Sequence, residues 1–376
     1  MEKNNKTLNV PHLRFPEFSG EWKTDTLQSV ATISKGAGIS KDQLSEQGQP
    51  CILYGELYTK YRSEIIDTII SKTEIDPKKL VRSQANDVII PCSGESAAEI
   101  ATARCVKQSN VLLGGDLNII RLKGEHDGSF FAYQLNGKRK YDIAKVAQGV
   151  SVVHLYGEHL KGVKVNYPSA TEQKKISSLL ALIDQRIETQ KKIIEDLKKL
   201  KDAISGLLFM SLCEREYPLG DLCVSITAKQ YISQDITAKG IYPIIQQGEN
   251  PIAGYTDSMP FMNYEDVVLF GDHTLSIYRP RIPFLISTDG IKILRTNDIV
   301  SRDYLYYLLY AFMPEPEGYK RHYSIIKDLW VPVPNIDVQK TIVDKLQSID
   351  SKMEIETRSL ELQLLQKQHL LTQMFI

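Results

Sequence analysis

No apolar run in the 376-residue sequence approaches the length of a membrane span, and the opening residues, MEKNNKTLNVPHLRFPEF, lack the hydrophobic segment of a secretory signal. The expected compartment is therefore the cytoplasm. Cysteine is scarce and odd in number: Cys51, Cys92, Cys105, Cys213 and Cys223 contain no CxxC pair. This argues against a disulfide framework or a zinc ribbon and leaves buried free thiols. An excess of one charge is also missing, with 46 basic residues against 46 acidic ones. That balance weighs against a nonspecific phosphate binder, which rests on a basic surface, but not against a reader of base edges, which needs few contacts.

Several catalytic words are absent as well. No Asn-Pro-Pro-aromatic or Asp-Pro-Pro-aromatic word is present to hold a flipped base, and Asn166-Tyr167-Pro168 lacks the second proline. Gly137-Lys138 is followed by Arg139, with no glycine placed as a phosphate-binding loop requires. Neither a methylase nor an ATP-driven motor is expected, and the chain is read as non-catalytic. His154 and His159 are badly spaced for a helical metal pair and read as loop histidines, so no metal site is expected. Asp272, His273 and Ser276 crowd one loop, GDHTLSIYRPR, and cannot reach nucleophile, base and orienter geometry without distant partners.

What the sequence does contain is a long seam. Between Pro168 and Leu212 the residues Ile176, Leu180, Ile183, Ile187, Ile194, Leu197, Ile204 and Leu208 recur at steps of four and three, with Gln190 and Lys201 at the two skipped positions. One narrow stripe of this period is a coiled-coil helix. Ser169 and Glu172 have the spacing of a capping box at its start. The lysines of this helix, Lys201 among them, alternate with Glu172, Asp184, Glu188, Glu195, Asp196 and Asp202, which reads as a solvated exterior.

Shifted by 166 residues, the segment from Pro334 to Ile376 aligns on this helix without a gap. Pro168 falls on Pro334, Gln173 on Gln339, Lys174 on Lys340, Ile176 on Ile342, Leu180 on Leu346, Ile183 on Ile349, Asp184 on Asp350, Ile187 on Met353 and Phe209 on Phe375. Matches at polar positions exceed what two unrelated heptad helices would share, so the chain carries an internal duplication. The seam residues Ile176, Leu180, Ile183, Ile187, Ile342, Leu346, Ile349 and Met353 are the expected helix-pairing set.

The modules before each helix repeat more loosely. Leu117 to Arg121 answers Ile291 to Arg295, and the helical stretch from Phe130 to Leu135 answers Tyr304 to Leu309. Tyr304, Tyr306, Tyr307 and Tyr310 share that helix and read as packing residues. Short strands mixed with few helices give α+β heads. The expected organisation is an arm at 1–20, heads at 21–167 and 213–333, a central helix at 168–212 and a final helix at 334–376.

Two unlike modules, each followed by a helix opening on Pro-x(4)-Gln-Lys, together with the words VPHLRFPEFSGEW and QGVSVVHLYGEHLKGVKV, resemble the specificity subunit of type I restriction-modification systems over nearly the whole chain. The resemblance implies an α+β protein with two repeated target recognition domains and two long antiparallel coiled-coil helices in a pseudo-twofold repeat. It implies a reader of an asymmetric, bipartite site in double-stranded DNA. It further implies that the helices dock methyltransferase subunits, two of them, with restriction translocase subunits joining. Cofactors would belong to those partners, as S-adenosylmethionine, ATP and Mg, and none to this chain. A helix of about 45 residues would be roughly 65 Å long, against about 34 Å per duplex turn, so helix length should set the spacing of the half-sites. Two other readings stay open: a specificity subunit serving a fused methylase-nuclease, and a coiled-coil scaffold whose heads bind protein.

Polar side chains on glycine-rich loops are the candidates for DNA contact, because a rigid scaffold can project them at base edges. In the first head these are Lys35 with Gly36; Ser93, Glu95 and Ser96; Arg104; and Gln148 with Ser151. In the second they are Lys229 and Gln230; Gln246 and Gln247; His273 and Thr274; and Tyr278, Arg279 and Arg281.

Overall fold

The computed structural model describes residues 9–76, 78, 80–149, 152–211, 215–315 and 320–376. Ser151 and Cys213 lie outside the described residues. Two compact units form, one from Met1–Gln190 with Ser359–Ile376 and the other from Lys191–Arg358. Each unit holds one head, part of the central helix (Ala170–Ser211) and part of the final helix (Ile336–Gln373). Among the described residues no helix is long and apolar enough to cross a membrane.

The heads share one plan. In the first unit Lys23–Thr26 pairs antiparallel with Lys164–Tyr167, closing the head where it meets the central helix. Glu216–Pro218 and Trp330–Pro332 do the same in the second unit. The main sheet of the first head runs Ala31–Lys35, Leu117–Leu122, Asp87–Pro91, Arg104–Val106, Ile65–Ile66. That of the second runs Cys223–Ile226, Ile291–Thr296, Val267–Gly271, Ile277–Tyr278, in the same order with one strand fewer. A second sheet accompanies each, of five strands centred on Gln49–Ile52 in one head and of three centred on Tyr242–Ile245 in the other.

One head helix then covers each main sheet, Gly128–Asn136 in the first unit and Arg302–Phe312 in the second. Asp127 caps the first through Ser129 N–H at 2.8 Å, and Ser301 caps the second through Tyr304 N–H at 3.2 Å. The glutamine of the repeated Pro-x(4)-Gln-Lys word explains why both caps hold. Gln173 Nε2 donates to the Pro168 carbonyl at 2.9 Å while its Oε1 accepts from Asp127 N–H at 3.0 Å. Gln339 repeats this with the Pro334 carbonyl at 3.0 Å and Ser301 N–H at 3.1 Å. One buried amide thus satisfies both the start of a long helix and the start of its head helix.

The capping box expected at Ser169 is only half formed. Ser169 Oγ accepts from Glu172 N–H at 3.4 Å, but the Glu172 carboxylate is taken by Arg14, at 2.7 and 2.8 Å, and by Trp22 Nε1 at 3.3 Å. A two-pronged guanidinium outcompetes a backbone N–H for a buried carboxylate. The N-terminal arm is fastened to the helix in consequence.

Packing follows the seam at its outer ends. Ile176 and Leu180 share a core with Trp22, Phe130, Phe131, Tyr133, Met374 and Phe375. In the second unit Ile342 and Leu346 share one with Phe209, Tyr304, Tyr307 and Leu308. Ile183 and Ile187 are buried, whereas Ile349 and Met353 are half-buried. Cys51, Cys92, Cys105 and Cys223 are free and buried, and burial pushes the thiols of Cys105 and Cys223 up to about 11 and about 12.

At the seam's polar positions the structure corrects one expectation. Lys201 is buried, not solvated: its ammonium lies 2.6 Å from Asp350 Oδ1 and over the Tyr310 and Tyr307 rings at 3.9 and 5.4 Å. Tyr307 donates its hydroxyl to the same carboxylate at 2.7 Å. The duplicate sits in the first unit, where Lys367 lies 2.6 Å from Asp184 Oδ1 and 2.6 Å from Glu64 Oε2, and Tyr133 donates to Asp184 at 2.7 Å. Burial draws the Lys367 ammonium down, but Glu64 and Asp184 outweigh it and hold the value above the ordinary lysine range. A lysine with two carboxylates, closed by a tyrosine from the head helix, fixes the helix register in this unit. Replacing Lys367 with Met should cost about 3–5 kcal/mol, since two carboxylates would stay buried without their cation. Urea unfolding measures this; a loss under about 1 kcal/mol would show that the pair sets nothing.

Candidate nucleic-acid interface

Four first-head candidates, Lys35, Ser93, Glu95 and Gln148, fall on one surface. Ser93–Gly94 pairs antiparallel with Val153–His154, and Gln148 exchanges backbone hydrogen bonds with His154 at 2.9 and 2.7 Å. Ser93 Oγ lies 3.2 Å from His154 Nδ1. The His154 ring stacks on Tyr156 at 6.2 Å, and the Lys35 ammonium lies 5.7 Å from the Tyr156 ring centre. Ser93 and the exposed Glu95 line a cleft of about 490 Å³ with Tyr54 and Tyr58. Ser96 stands just beyond as the cap of the short helix Ala97–Ile100, accepting from Glu99 N–H at 3.2 Å.

Gly36 serves a different purpose. Its N–H donates to the Leu117 carbonyl at 2.9 Å, and a Cβ there would collide with the carbonyl oxygen of Gly114. Close backbone approach, not contact with a ligand, requires the glycine. Tyr54, Tyr58 and Tyr156 are the members of this surface that the sequence reading left out. For Tyr54 and Tyr156 the signal was an aromatic beside a glycine, in Tyr54-Gly55 and Tyr156-Gly157; Tyr58 carried none.

Arg104 departs from its expected role. It is 8% exposed, and its guanidinium donates to the Tyr61 carbonyl at 3.1 Å and the Ala103 carbonyl at 2.9 Å. Burial lowers its pKa, against the pull of Glu64 and Asp184. Arg104 therefore holds the fold beside the Lys367 cluster and is not projected at a ligand.

In the second head, Gln247 and His273 are brought together: Gln247 Oε1 accepts from His273 N–H at 3.1 Å. His273 Nδ1 lies 3.1 Å from the Lys320 carbonyl. Thr274 Oγ1 lies 2.9 Å from Ser276 Oγ within a tight turn in which Leu275 adopts φ +56. A leucine in the left-handed region is strained, and such strain collects at loops whose shape matters. Asp272 is buried and accepts from Tyr323 N–H at 2.8 Å, so it does not orient His273. Gln246 Nε2 donates to the Asn250 carbonyl at 2.9 Å, and Lys229 and Gln230 are exposed on a single 3-10 turn.

Tyr278 is half-buried in a strand paired with Leu269. Arg279 is a second correction: its guanidinium pairs with Asp303 at 3.2 Å and lies over the Tyr306 and Tyr307 rings at 5.0 and 5.7 Å. Arg281 pairs with Glu354 of the final helix, and both side chains are exposed. Such a pair contributes little to stability and can be exchanged for a phosphate. The packing expected of Tyr304 and Tyr307 is seen, with Tyr304 donating to the Pro332 carbonyl at 2.9 Å.

These heads and helices match a known pattern. A family model described as the type I restriction modification DNA specificity domain covers residues 19–199 and 214–365, once for each head with its helix. The chain belongs to this family of DNA specificity domains. Specificity subunits of type I systems are DNA-recognition subunits without catalysis of their own. One curated relative is the type I restriction enzyme MjaVIII specificity subunit of Methanocaldococcus jannaschii, 23% identical over 361 residues, with 82% of each chain covered. Among solved structures, the type I restriction-modification S subunit from M. genitalium aligns with a TM-score of 0.66 at 18% identity, covering 98% of this chain and 99% of that one. A chain from a structure on complex assembly and conformational transition of the type I system aligns with 0.54 at 15% identity, covering 93% and 96%. Both share the fold.

Exposure and pairing separate the arginines and lysines of this specificity subunit into two groups. Lys35→Ala should leave unfolding within about 0.5 kcal/mol of the parent while weakening duplex binding by the assembled complex and reducing its salt slope by about 1. Arg279→Ala should lower stability by about 1–3 kcal/mol, because it takes the cation from two ring faces and leaves Asp303 with Arg302 alone, and should leave the recognised sequence alone. Titrations over a range of salt, beside thermal melts, distinguish the two; a changed recognition sequence in the Arg279 variant would reverse the assignment.

Proposed function

We propose that each head reads one half of an asymmetric, two-part site in duplex DNA, and that this chain directs the methyltransferase subunits, two of them, and the restriction translocase subunits of its complex to that site. The observation that carries this reading is a contrast. The anchors are duplicated almost atom for atom, in Gln173 and Gln339 and in Asp184 and Asp350, while the loops carry unlike side chains. Tyr54, Ser93 and Gln148 stand on one head, and Gln247, His273 and Thr274 on the other. Two readers on closely similar mounts but with unlike loops recognise different sequences, so the combined site is not a palindrome.

The chemistry belongs to the partners. S-adenosylmethionine, ATP and Mg are assigned to them, since this chain offers neither a flipped-base word nor a phosphate loop. Of the polar loop residues, Lys35, Ser93, Glu95, Gln148, Lys229, Gln230, Gln247, His273, Thr274 and Arg281 are the ones proposed to face DNA, with phosphate contacts fixing position and base-edge contacts fixing sequence.

Exchange of Glu216 to Val333 for the matching head of another family member tests this. Methylation sequencing of DNA treated with the assembled complex should show one half of the motif replaced and the other kept. Alteration of both halves would refute independent readers.

A further inference from the structure

A small backbone arrangement recurs at one corner of each head. In the first, Cys92 N–H donates to the Asp116 carbonyl at 2.7 Å, and the Cys92 carbonyl accepts from Leu155 N–H at 2.8 Å. In the second, Asp272 N–H donates to the Gly290 carbonyl at 2.8 Å, and the Asp272 carbonyl accepts from His322 N–H at 2.9 Å. Cys92 and Asp272 each follow corresponding strands by one residue, and Asp116 and Gly290 each precede corresponding strands by one. The same contacts therefore fix the same strand ends in both heads. Positions held by equivalent backbone hydrogen bonds are equivalent in space within each head, whatever their side chains.

The side chains at this corner are unlike. The first head presents Tyr54, Ser93 and Asp116; the second presents Gln247, His273 and Gly290. Tyr54 borders two clefts, one of about 490 Å³ shared with Ser93 and one of about 750 Å³ shared with Asp116. Asp116 is exposed and left-handed, with φ +58, which aspartate tolerates and which aims it off the strand end. In the second head the Gln247 amide lies against position 290, where any Cβ would strike its Nε2, so glycine there is a condition of the Gln247 pose. Gln247 Oε1 is held by His273 N–H, which fixes the amide plane.

We infer that this corner sets the base preference of each head, through Asp116 with Tyr54 in the first and Gln247 with His273 in the second. The inference rests on the heads reading DNA. A carboxylate offers acceptors only and suits the amino group of cytosine, whereas a planar amide offers donor and acceptor together and suits the major-groove edge of adenine. Tyr54 supplies a flat apolar face beside Asp116, and the locked Gln247 amide presents its pattern without a rotamer search.

Two isosteric variants test it with little demand on the fold. Asp116→Asn keeps shape and tolerates the left-handed backbone; Gln247→Glu keeps the acceptor for His273 but turns a donor into an acceptor. In the assembled methyltransferase complex, methylation sequencing should show Asp116→Asn altering one base of one half-motif and Gln247→Glu one base of the other, each changing preference by roughly 5- to 150-fold. Unchanged motifs from both variants, with thermal melting like the parent, would overturn the corner, as would either variant altering both halves. The head exchange described above, run alongside, tells the two failures apart. If it still replaces a half-motif, the heads read DNA elsewhere on their surface. If it does not, the DNA-reading role falls and the corner with it.

Discussion

A lysine ammonium buried in a helix seam, met by carboxylate and closed by a tyrosine hydroxyl, is the contact on which each unit depends. Lys367 with Asp184 and Tyr133 forms it in one unit, and Lys201 with Asp350 and Tyr307 in the other. Buried charge of this kind adds little stability compared with an apolar pair, but it strongly disfavours every register in which the cation lacks its partner. A seam of leucine and isoleucine alone tolerates slippage by whole turns. Because the tyrosine comes from the head helix, one contact fixes helix against helix and head against both. The glutamines at 173 and 339 complete the mount by joining the start of each long helix to the start of a head helix.

This arrangement separates holding from reading. The mount is polar, buried and duplicated, so it changes little between the units. The loops at the strand ends make few demands on the core and are free to differ, as they do at Tyr54 against Gln247 and Ser93 against His273. Under the proposed function, variation in recognition without loss of fold follows from that division, as it does wherever binding residues sit on loops borne by a rigid scaffold. Neutral net charge is consistent with it, since a protein that gained its affinity mainly from phosphates would need a basic excess.

Much of the fold was legible in the sequence because it lay in periods and matches. The seam at Ile176, Leu180, Ile342 and Leu346 and the repeated Pro-x(4)-Gln-Lys word were visible as spacing, and all are buried or bonded in the structure. What misled was any side chain whose partner is far along the chain. Lys201 stood among alternating charges and read as solvated, while Asp350, the partner that buries it, lies in the other helix. Glu172 completed a capping-box spacing, yet Arg14 claimed its carboxylate. Arg104 and Arg279 sat in loop-like words, but the Tyr61 carbonyl and Asp303 hold them inside. Local pattern shows which residues can project; only the fold shows which are already engaged. Lys35, Ser93 and Gln148, named from the sequence, do lie together on one surface, and the tyrosines beside them were missed because scattered aromatics carry no period.

The central claim is that one chain carries two unlike readers on duplicate mounts. Sequencing of methylated bases in DNA exposed to the assembled complex tests it most directly. The account predicts a motif of two short specified segments, different from each other and separated by a fixed run of unspecified bases. A continuous motif, or two halves that are inverted copies of one another, would contradict it.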